Sequence, residues 1–438
     1  MNNNSSLISN MSRRGFISLA GAAALAASMS ACAAGGGGGA NAAGSTTLKF
    51  WDMPWGPSGY AAEAEKLAKS FPGTGNVNEV GYQQVLWSGF NETYSSAIAS
   101  KTGPAVSTGG GFQAFQFAAQ GAVEYADKLI ESFKSNGLYD DFLPNTLDAM
   151  KTPEGSVAVP WAVDIQTLWY RKSALEASGA AVPTTWPEFL EAGKKLAAKG
   201  YYAWGISGGS GNFGPMAILS LMINNGGGLF NEGGALDVVT DRNIETSDFV
   251  IEAVKAGLTD PGAVSLKDDD LVTQWTNKKI GMGFYYVGLD EAIADKDVAV
   301  MPPLKGPHGD TGTIQYVNNI MMYKDTPSQE ASEAFVTHYL QNMKVLWEQK
   351  LVSQLPALKS IAAAPFFTES QSNVEIVNKW QPVAKTLATK GSQSSAQLAA
   401  IDGGQALADF CQTLLGGKTD AKTALTKLES DIKAVVSS

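Results

Sequence analysis

Val157-Ala158-Val159-Pro160-Trp161-Ala162-Val163-Asp164-Ile165-Gln166-Thr167-Leu168-Trp169-Tyr170 reads as one long extended stretch, rich in β-branched and aromatic residues, with a single carboxylate at Asp164. The rest of the chain can be placed around it. Upstream, Thr47 to Met53 reads as a strand, Tyr60 to Phe71 repeats apolar residues at helical spacing, Val77 to Val80 is a second strand, and a helix follows from about Gln84 to Ser100. This β-α-β-α order predicts a mainly parallel sheet with helices on its faces. Ala105 to Thr108 then forms a strand that ends in the permissive loop Gly109-Gly110-Gly111-Phe112, and ligand sites in such sheets collect at strand carboxyl ends.

Downstream, Thr185 is placed to cap a helix over Trp186 to Lys199, with Glu188 at its third position. Strands are predicted at Ala203 to Ser207, Lys279 to Tyr286, Val298 to Met301 and Thr313 to Tyr323. The flexible loop Ser207-Gly208-Gly209-Ser210-Gly211-Asn212-Phe213 precedes an apolar helix from Pro215 to Asn225. Helical patterns continue over Ser328 to Lys350, Ala396 to Leu415 and Ala421 to Val435. The roughly 390 residues after Thr47 exceed what one core supports, which favours two lobes of similar α/β kind.

The N-terminus carries a different signal. Arg13 and Arg14 precede an uncharged apolar run from Phe16 to Ala31, too short at 16 residues for the roughly 20 that span a bilayer. Met29-Ser30-Ala31-Cys32 resembles a bacterial lipobox, which implies a signal peptide over 1–31 and diacylation of Cys32. The arginine pair resembles a twin-arginine export signal, with a Sec signal as the alternative. Residues 33 to 47 include five consecutive glycines and read as a tether reaching roughly 20 Å. These features predict an exported protein, anchored by lipid to the outer face of the cytoplasmic membrane.

Composition narrows the chemistry. Of 32 basic and 42 acidic residues, removal of 1–31 takes two basic and no acidic ones, leaving 30 against 42 and a net charge of −12. Such a body is no partner for nucleic acid. Arg171 and Arg242 are the only arginines left, so a phosphate clamp has little to draw on. His308 and His338 have no metal-ligand spacing, no cofactor motif is present, and Cys411 has no disulfide partner once Cys32 is acylated. Asp268-Asp269-Asp270 lacks the spacing of a calcium loop and reads as a solvated helix start.

Ten tryptophans and thirteen tyrosines remain to be explained. A sugar ring offers one apolar face and a rim of hydroxyls, so its binder needs flat aromatics and neutral or carboxylate acceptors. Residues of those types at strand ends and loops are Trp51, Trp55, Phe112, Gln113, Trp161, Asp164, Asn212, Phe213, Tyr285, Tyr286, Tyr316, Asn318 and Asn319. Trp51 also suits a seal on the core. Strand alternation aims one of Tyr285 and Tyr286 at the cleft without saying which. Trp87, Trp275, Trp347 and Trp380 lie in helical patterns and read as packing residues.

The run Val159-Pro160-Trp161-Ala162-Val163-Asp164, then Leu168-Trp169-Tyr170-Arg171-Lys172, Pro183 and Thr185-Trp186-Pro187-Glu188-Phe189, resembles the extracellular solute-binding proteins of ABC importers, in their maltose-binding-protein-like carbohydrate group. Ala97 to Pro104, Asn277 to Met282, Met301 to Gly306 and Leu355 to Ser360 extend the likeness in order along residues 47 to 438. Arg171 stands where the family signature has asparagine. The resemblance implies a type II periplasmic-binding fold with lobes over 48–163 plus 303–367 and 164–302 plus 368–438, joined by three crossings near Val163, Met301 and Phe367. It further implies a monomer that closes on a carbohydrate, an oligosaccharide by expectation, and delivers it to the transmembrane subunits of a permease without catalysis. Alternatives are an extracellular carbohydrate-processing enzyme, an adhesive surface protein, and the same fold holding a peptide or other polar solute.

Overall fold

In the computed structural model, residues 46–390 and 394–436 are described; the expectations at Arg13, Arg14 and Cys32 fall outside them. Two β-sheets organise the chain. The larger is built in the order Leu355–Pro356, Val159–Ile165, Thr313–Tyr323, Val106–Gly109, Thr46–Asp52, Val77–Gln84, with Val123–Glu124 and Ala384–Lys385 also pairing with the 313–323 strand. The smaller runs Val298–Val300, Thr167–Arg171, Ile280–Tyr285, Tyr202–Gly205.

The expected parallel pairing holds where helices make the crossovers. Thr46–Asp52 lies parallel to both Val77–Gln84 and Val106–Gly109, linked through helices Tyr60–Lys69 and Phe90–Ala99. Apart from the short Ala384–Lys385 strand, which runs parallel to 313–323, the rest of the larger sheet is antiparallel, and the reason lies in the path of the chain. The 159–165 strand carries the chain out to the smaller sheet through Gln166, and the 313–323 strand brings it back, so the two neighbours run in opposite directions. The 14-residue extended stretch is therefore two strands in two different sheets.

Helix starts follow local chemistry. Thr185 accepts the N–H of Glu188 at the start of Trp186–Ala197, and the Glu188 carboxylate accepts chiefly from the backbone N–H and hydroxyl of Thr184. That contact holds the Glu188 carboxyl below the usual carboxylate range. Arg171 is fully buried and forms the polar hub of the smaller sheet. It donates to Asp295 at 2.7 Å, Asp297 at 3.2 Å and the Trp275 carbonyl at 2.7 Å. Trp275, Trp347 and Trp380 are buried packing residues, and Cys411 is a buried free thiol. Among the described residues no helix is long and apolar enough to cross a membrane, and no cluster has the ligands for a metal ion.

Candidate functional site

A cavity of about 480 Å³ opens where the carboxyl ends of the first strands meet the ribbon formed by the 159–165 and 313–323 strands. Its apolar walls are Trp55, Trp87, Phe90, Phe112, Tyr286 and Tyr316, and its polar groups include Asp164, Asp402, Asn318, Asn212, Gln113 and Gln354. Among the described residues no lysine, arginine or histidine lines it.

Trp55 is set by a hydrogen-bond relay from the sheet. Thr108 accepts the indole N–H of Trp55 at 3.0 Å and the Met53 N–H at 3.0 Å, and its own hydroxyl donates to Asp52 at 2.5 Å. Asp52 also accepts from the hydroxyls of Tyr60 (2.9 Å) and Tyr82 (3.0 Å). Burial still dominates and pushes the Asp52 carboxyl up to about 6, against these hydrogen bonds, which favour its charged form. Trp161 lies behind, fully buried, with its ring edge-on to Trp55 at 5.2 Å and to Trp347 at 5.8 Å.

The ribbon supplies the polar wall. Tyr316 pairs with Asp164, and Asn318 follows two residues along on the same face. The Asn318 amide donates to Asp164 at 2.7 Å, a favourable contact for the carboxylate, yet burial pushes the Asp164 carboxyl up to about 6. The pairing then shifts register on the 159–165 strand, Asn318 opposite Ala162 and Asn319 opposite Pro160, while along the 313–323 strand alternation turns Asn319 to the face opposite Asn318. Asn319 is consequently buried behind the wall, donating to the Gly111 carbonyl at 3.1 Å and the Val317 carbonyl at 3.3 Å. Gly111 has φ of 45°, and a Cβ there would stand 3.4 Å from the Tyr316 ring, so backbone itself forms this part of the floor.

Asp402 completes the opposite side. Tyr316 donates its hydroxyl to Asp402 at 2.9 Å, and burial again pushes this carboxyl up to about 6. Burial, followed by the neighbouring Asp402, holds the Tyr316 hydroxyl far above its ordinary range; Tyr286 is raised likewise, chiefly by burial and then by Asp164. Both therefore remain neutral donors at any working pH. Gln113 is buried with its Oε1 accepting the Gly110 N–H at 3.3 Å, while its Nε2 has no protein acceptor. A buried donor in this state asks for an oxygen from a ligand.

Of the thirteen candidate residues, eight line the cavity: Trp55, Phe112, Gln113, Asp164, Asn212, Tyr286, Tyr316 and Asn318. Five do not. Trp51 is buried, edge-on to Tyr94 at 5.2 Å, on the helix-covered side of its strand. Trp161 backs Trp55, and Asn319 backs Gly111. Phe213 and Tyr285 pack edge-on to each other at 5.0 Å, and Phe213 also packs against Tyr286 at 5.5 Å, bracing the ring that faces the cavity.

Two residues at the site run against the sequence expectation. Trp87 stands in the loop before the helix Phe90–Ala99 instead of within it, and it is 42% exposed at the cavity mouth. Asp402 falls in what read as one helix over 396–415; the chain breaks there into Ala396–Ile401 and Gln405–Leu415, with Gly403 at φ of 63°. The Gly403-Gly404 pair was the available signal, since glycine beyond a helical run marks its end. Asp268 also departs from the solvated role: it accepts from the Ser207 hydroxyl at 2.6 Å and the Asn212 N–H at 2.8 Å, gathering the 207–213 loop against the cavity.

The family model for bacterial extracellular solute-binding proteins matches residues 55–344. A solved sugar transporter from Arthrobacter chlorophenolicus A6, with bound laminaribiose, is 52% identical, covering 89% of this chain and 99% of that one with a TM-score of 0.80. Among curated proteins, a putative binding protein of Brucella abortus is 22% identical over 276 residues, 61% of this chain, and the chain spans 65% of that protein's length. An sn-glycerol-3-phosphate-binding periplasmic protein of Rhizobium meliloti is 29% identical over 181 residues, 38% of this chain and 40% of that protein. The architecture is the two-lobed α/β fold of such binding proteins.

Proposed function

The chain belongs to the bacterial extracellular solute-binding protein family, and from that footing we propose that it captures a neutral carbohydrate in the Trp55–Asp402 cavity and delivers it to the transmembrane subunits of an ABC permease. The observation that carries this reading is the composition of the cavity wall. Aromatic faces stand beside two carboxylates and an unpartnered amide donor, with no cationic side chain among them. A sugar meets all three needs, because its ring face is apolar and each hydroxyl both donates and accepts.

The same wall argues against the other ligands named among relatives. A phosphate ester would bring negative charge beside Asp164 and Asp402 with nothing to neutralise it. A cation would suit the carboxylates but leave the Gln113 amide without an acceptor. The relative of 52% identity, solved with laminaribiose, makes that disaccharide the first ligand to test. Catalysis forms no part of the proposal.

Transport calls for closure of one lobe on the other, with ligand stabilising the closed form through its greater affinity for it. Lobes over 48–163 plus 303–367 and 164–302 plus 368–438, joined by three crossings, accommodate this. Strand membership supports the division for the strands up to Tyr323, with Gln166 favoured for the first changeover, whereas Ala384–Lys385 of the second segment pairs with the larger sheet. Anchoring through Cys32, after cleavage of a signal carrying Arg13 and Arg14, would keep a monomeric receptor near its permease.

Thermal unfolding with a solute panel tests the central claim. Laminaribiose at 100 times its dissociation constant adds about 2.7 kcal/mol of stability and raises the melting temperature. If sn-glycerol-3-phosphate or an amino acid raises it and no glycan does, the carbohydrate reading is wrong.

A further inference from the structure

Large apolar side chains that are well exposed are few among the described residues: Leu86 at 64%, Trp87 at 42%, Val264 and Val435. Leu86 and Trp87 are consecutive, and Trp87 sits at the cavity mouth. Its ring is fixed in place despite its exposure. The indole N–H donates to the Pro54 carbonyl at 3.2 Å, and the ring stands edge-on to Trp55 at 5.0 Å and 89° and to Phe90 at 5.9 Å and 82°. Its outer carbons lie over Gly110, where an added Cβ would meet them at 3.3 and 3.4 Å. The aromatic series thus runs from Trp161 at no exposure, through Trp55 at 6%, to Trp87 at 42%, with ring centres 5.2 and 5.0 Å apart.

Holding a tryptophan rigid while leaving much of it in water forgoes both rotamer entropy and burial. A ring so held presents a flat apolar face at no further ordering cost when a ligand arrives. The charged side chains that share the cavity with it, Asp164 and Asp402, are acceptors for hydroxyls, and among the described residues no cationic side chain lines that cavity.

We propose that Trp87 and Phe90 form an outer sugar platform, so that the protein takes a glycan of three or more units, the inner pair deeper in the cavity and the next unit stacked at the rim. This rests on the carbohydrate reading and deepens it by setting ligand length. Because Trp87 is the most exposed ring of the cavity wall, units beyond it project into solvent and are not selected.

The test is calorimetric titration of the full chain with laminaribiose, laminaritriose and laminaritetraose. One well-formed aromatic stack predicts about tenfold tighter binding of the trisaccharide than of the disaccharide, and no more than about twofold further gain for the tetrasaccharide. Trp87→Ala reduces the ratio of trisaccharide to disaccharide affinity to near one. Leu86→Ser, at an exposed neighbour outside the cavity wall, leaves the ratio unchanged. Equal affinity of the unsubstituted protein for disaccharide and trisaccharide overturns the outer platform while leaving the carbohydrate reading intact. So does a Trp87→Ala variant that weakens both ligands alike, which would make Trp87 a support for Trp55. Failure of every member of the series to bind folded protein overturns the platform as a site for this glycan series, and the carbohydrate reading falls with it only if the wider glycan panel also fails to bind.

Discussion

Thr108→Val separates hydrogen bonding from shape at the base of the site. Valine fills the same space but withdraws the hydroxyl that accepts from Trp55 and Met53 and donates to Asp52. Trp55 and Met53 are buried, so two donors lose their acceptor where water does not replace it, at about 1–3 kcal/mol each. The Asp52 carboxylate loses one of the bonds that favour its charged form. Partial relaxation brings the expected total to about 3–5 kcal/mol, a large share of the roughly 5–15 kcal/mol that a folded protein holds. Thr108→Ser keeps the hydroxyl and gives up one methyl, about 1 kcal/mol. Urea unfolding followed by tryptophan fluorescence at pH 7.5 reads both variants. The penalty also has a sign with pH. The Thr108 bond favours ionised Asp52, whose folded value is about 6, so the deficit of Thr108→Val shrinks as pH falls through 6. A valine variant within 1 kcal/mol of the serine variant, or a deficit that grows towards pH 5, refutes the relay.

Other outcomes follow from the same geometry. Asp164 and Asp402 both sit near 6, so hydroxyl-accepting carboxylates are lost on acidification, and laminaribiose affinity should fall about tenfold from pH 7 to pH 5; affinity rising towards pH 5 would mean that the neutral carboxyl is the bound form. For the free protein the linkage runs the other way. Asp52, Asp164 and Asp402 are raised from 3.8 to about 6, the folded state takes up protons first, and stability climbs as pH falls from about 6 to 4; a melting temperature highest at pH 7 or above contradicts this. Arg171→Lys should cost about 2–4 kcal/mol in chemical unfolding, because one ammonium does not replace a planar fork that meets two carboxylates and a carbonyl. Asp268→Ala should free the 207–213 loop and weaken ligand binding about tenfold through the ordering that loop must then undergo, with a near-normal melting temperature; unchanged affinity would place Asn212 outside the binding surface.

Local signals in the sequence carried the elements well where one element answers to one pattern. The 313–323 strand lies where alternation and β-branching put it, and Thr185 caps the helix that follows. Cavity residues near strand ends, such as Trp55 and Phe112, were legible because strand ends in such sheets face ligands. Asn318 and Asn319 could be told apart only once Tyr316 was seen to face the cavity, since alternation along the strand then sends Asn318 to the same face and Asn319 to the other. Tyr285 and Tyr286 were separable only by what packs against them, a fact of the second sheet and of the Phe213 loop. Trp87 and Asp402 were hidden for a common reason. Each adjoins a helix whose end is set by glycine geometry, at Gly89 and Gly403, and the apolar period runs on past the break. Asp268 looked like any helix-start carboxylate, its partners lying some sixty residues away in the chain.

The helix break at Asp402 ties the cavity to the last tenth of the protein. Both sheets are complete, strand by strand, before the chain reaches it, the latest strand being Ala384–Lys385. A chain clipped between that strand and Asp402 would keep every sheet pairing yet lack the carboxylate that faces Tyr316. On the carbohydrate reading, solute binding would therefore report on the integrity of the C-terminal helices, whose buried Leu407, Phe410, Leu414 and Leu425 follow the cavity carboxylate in the chain.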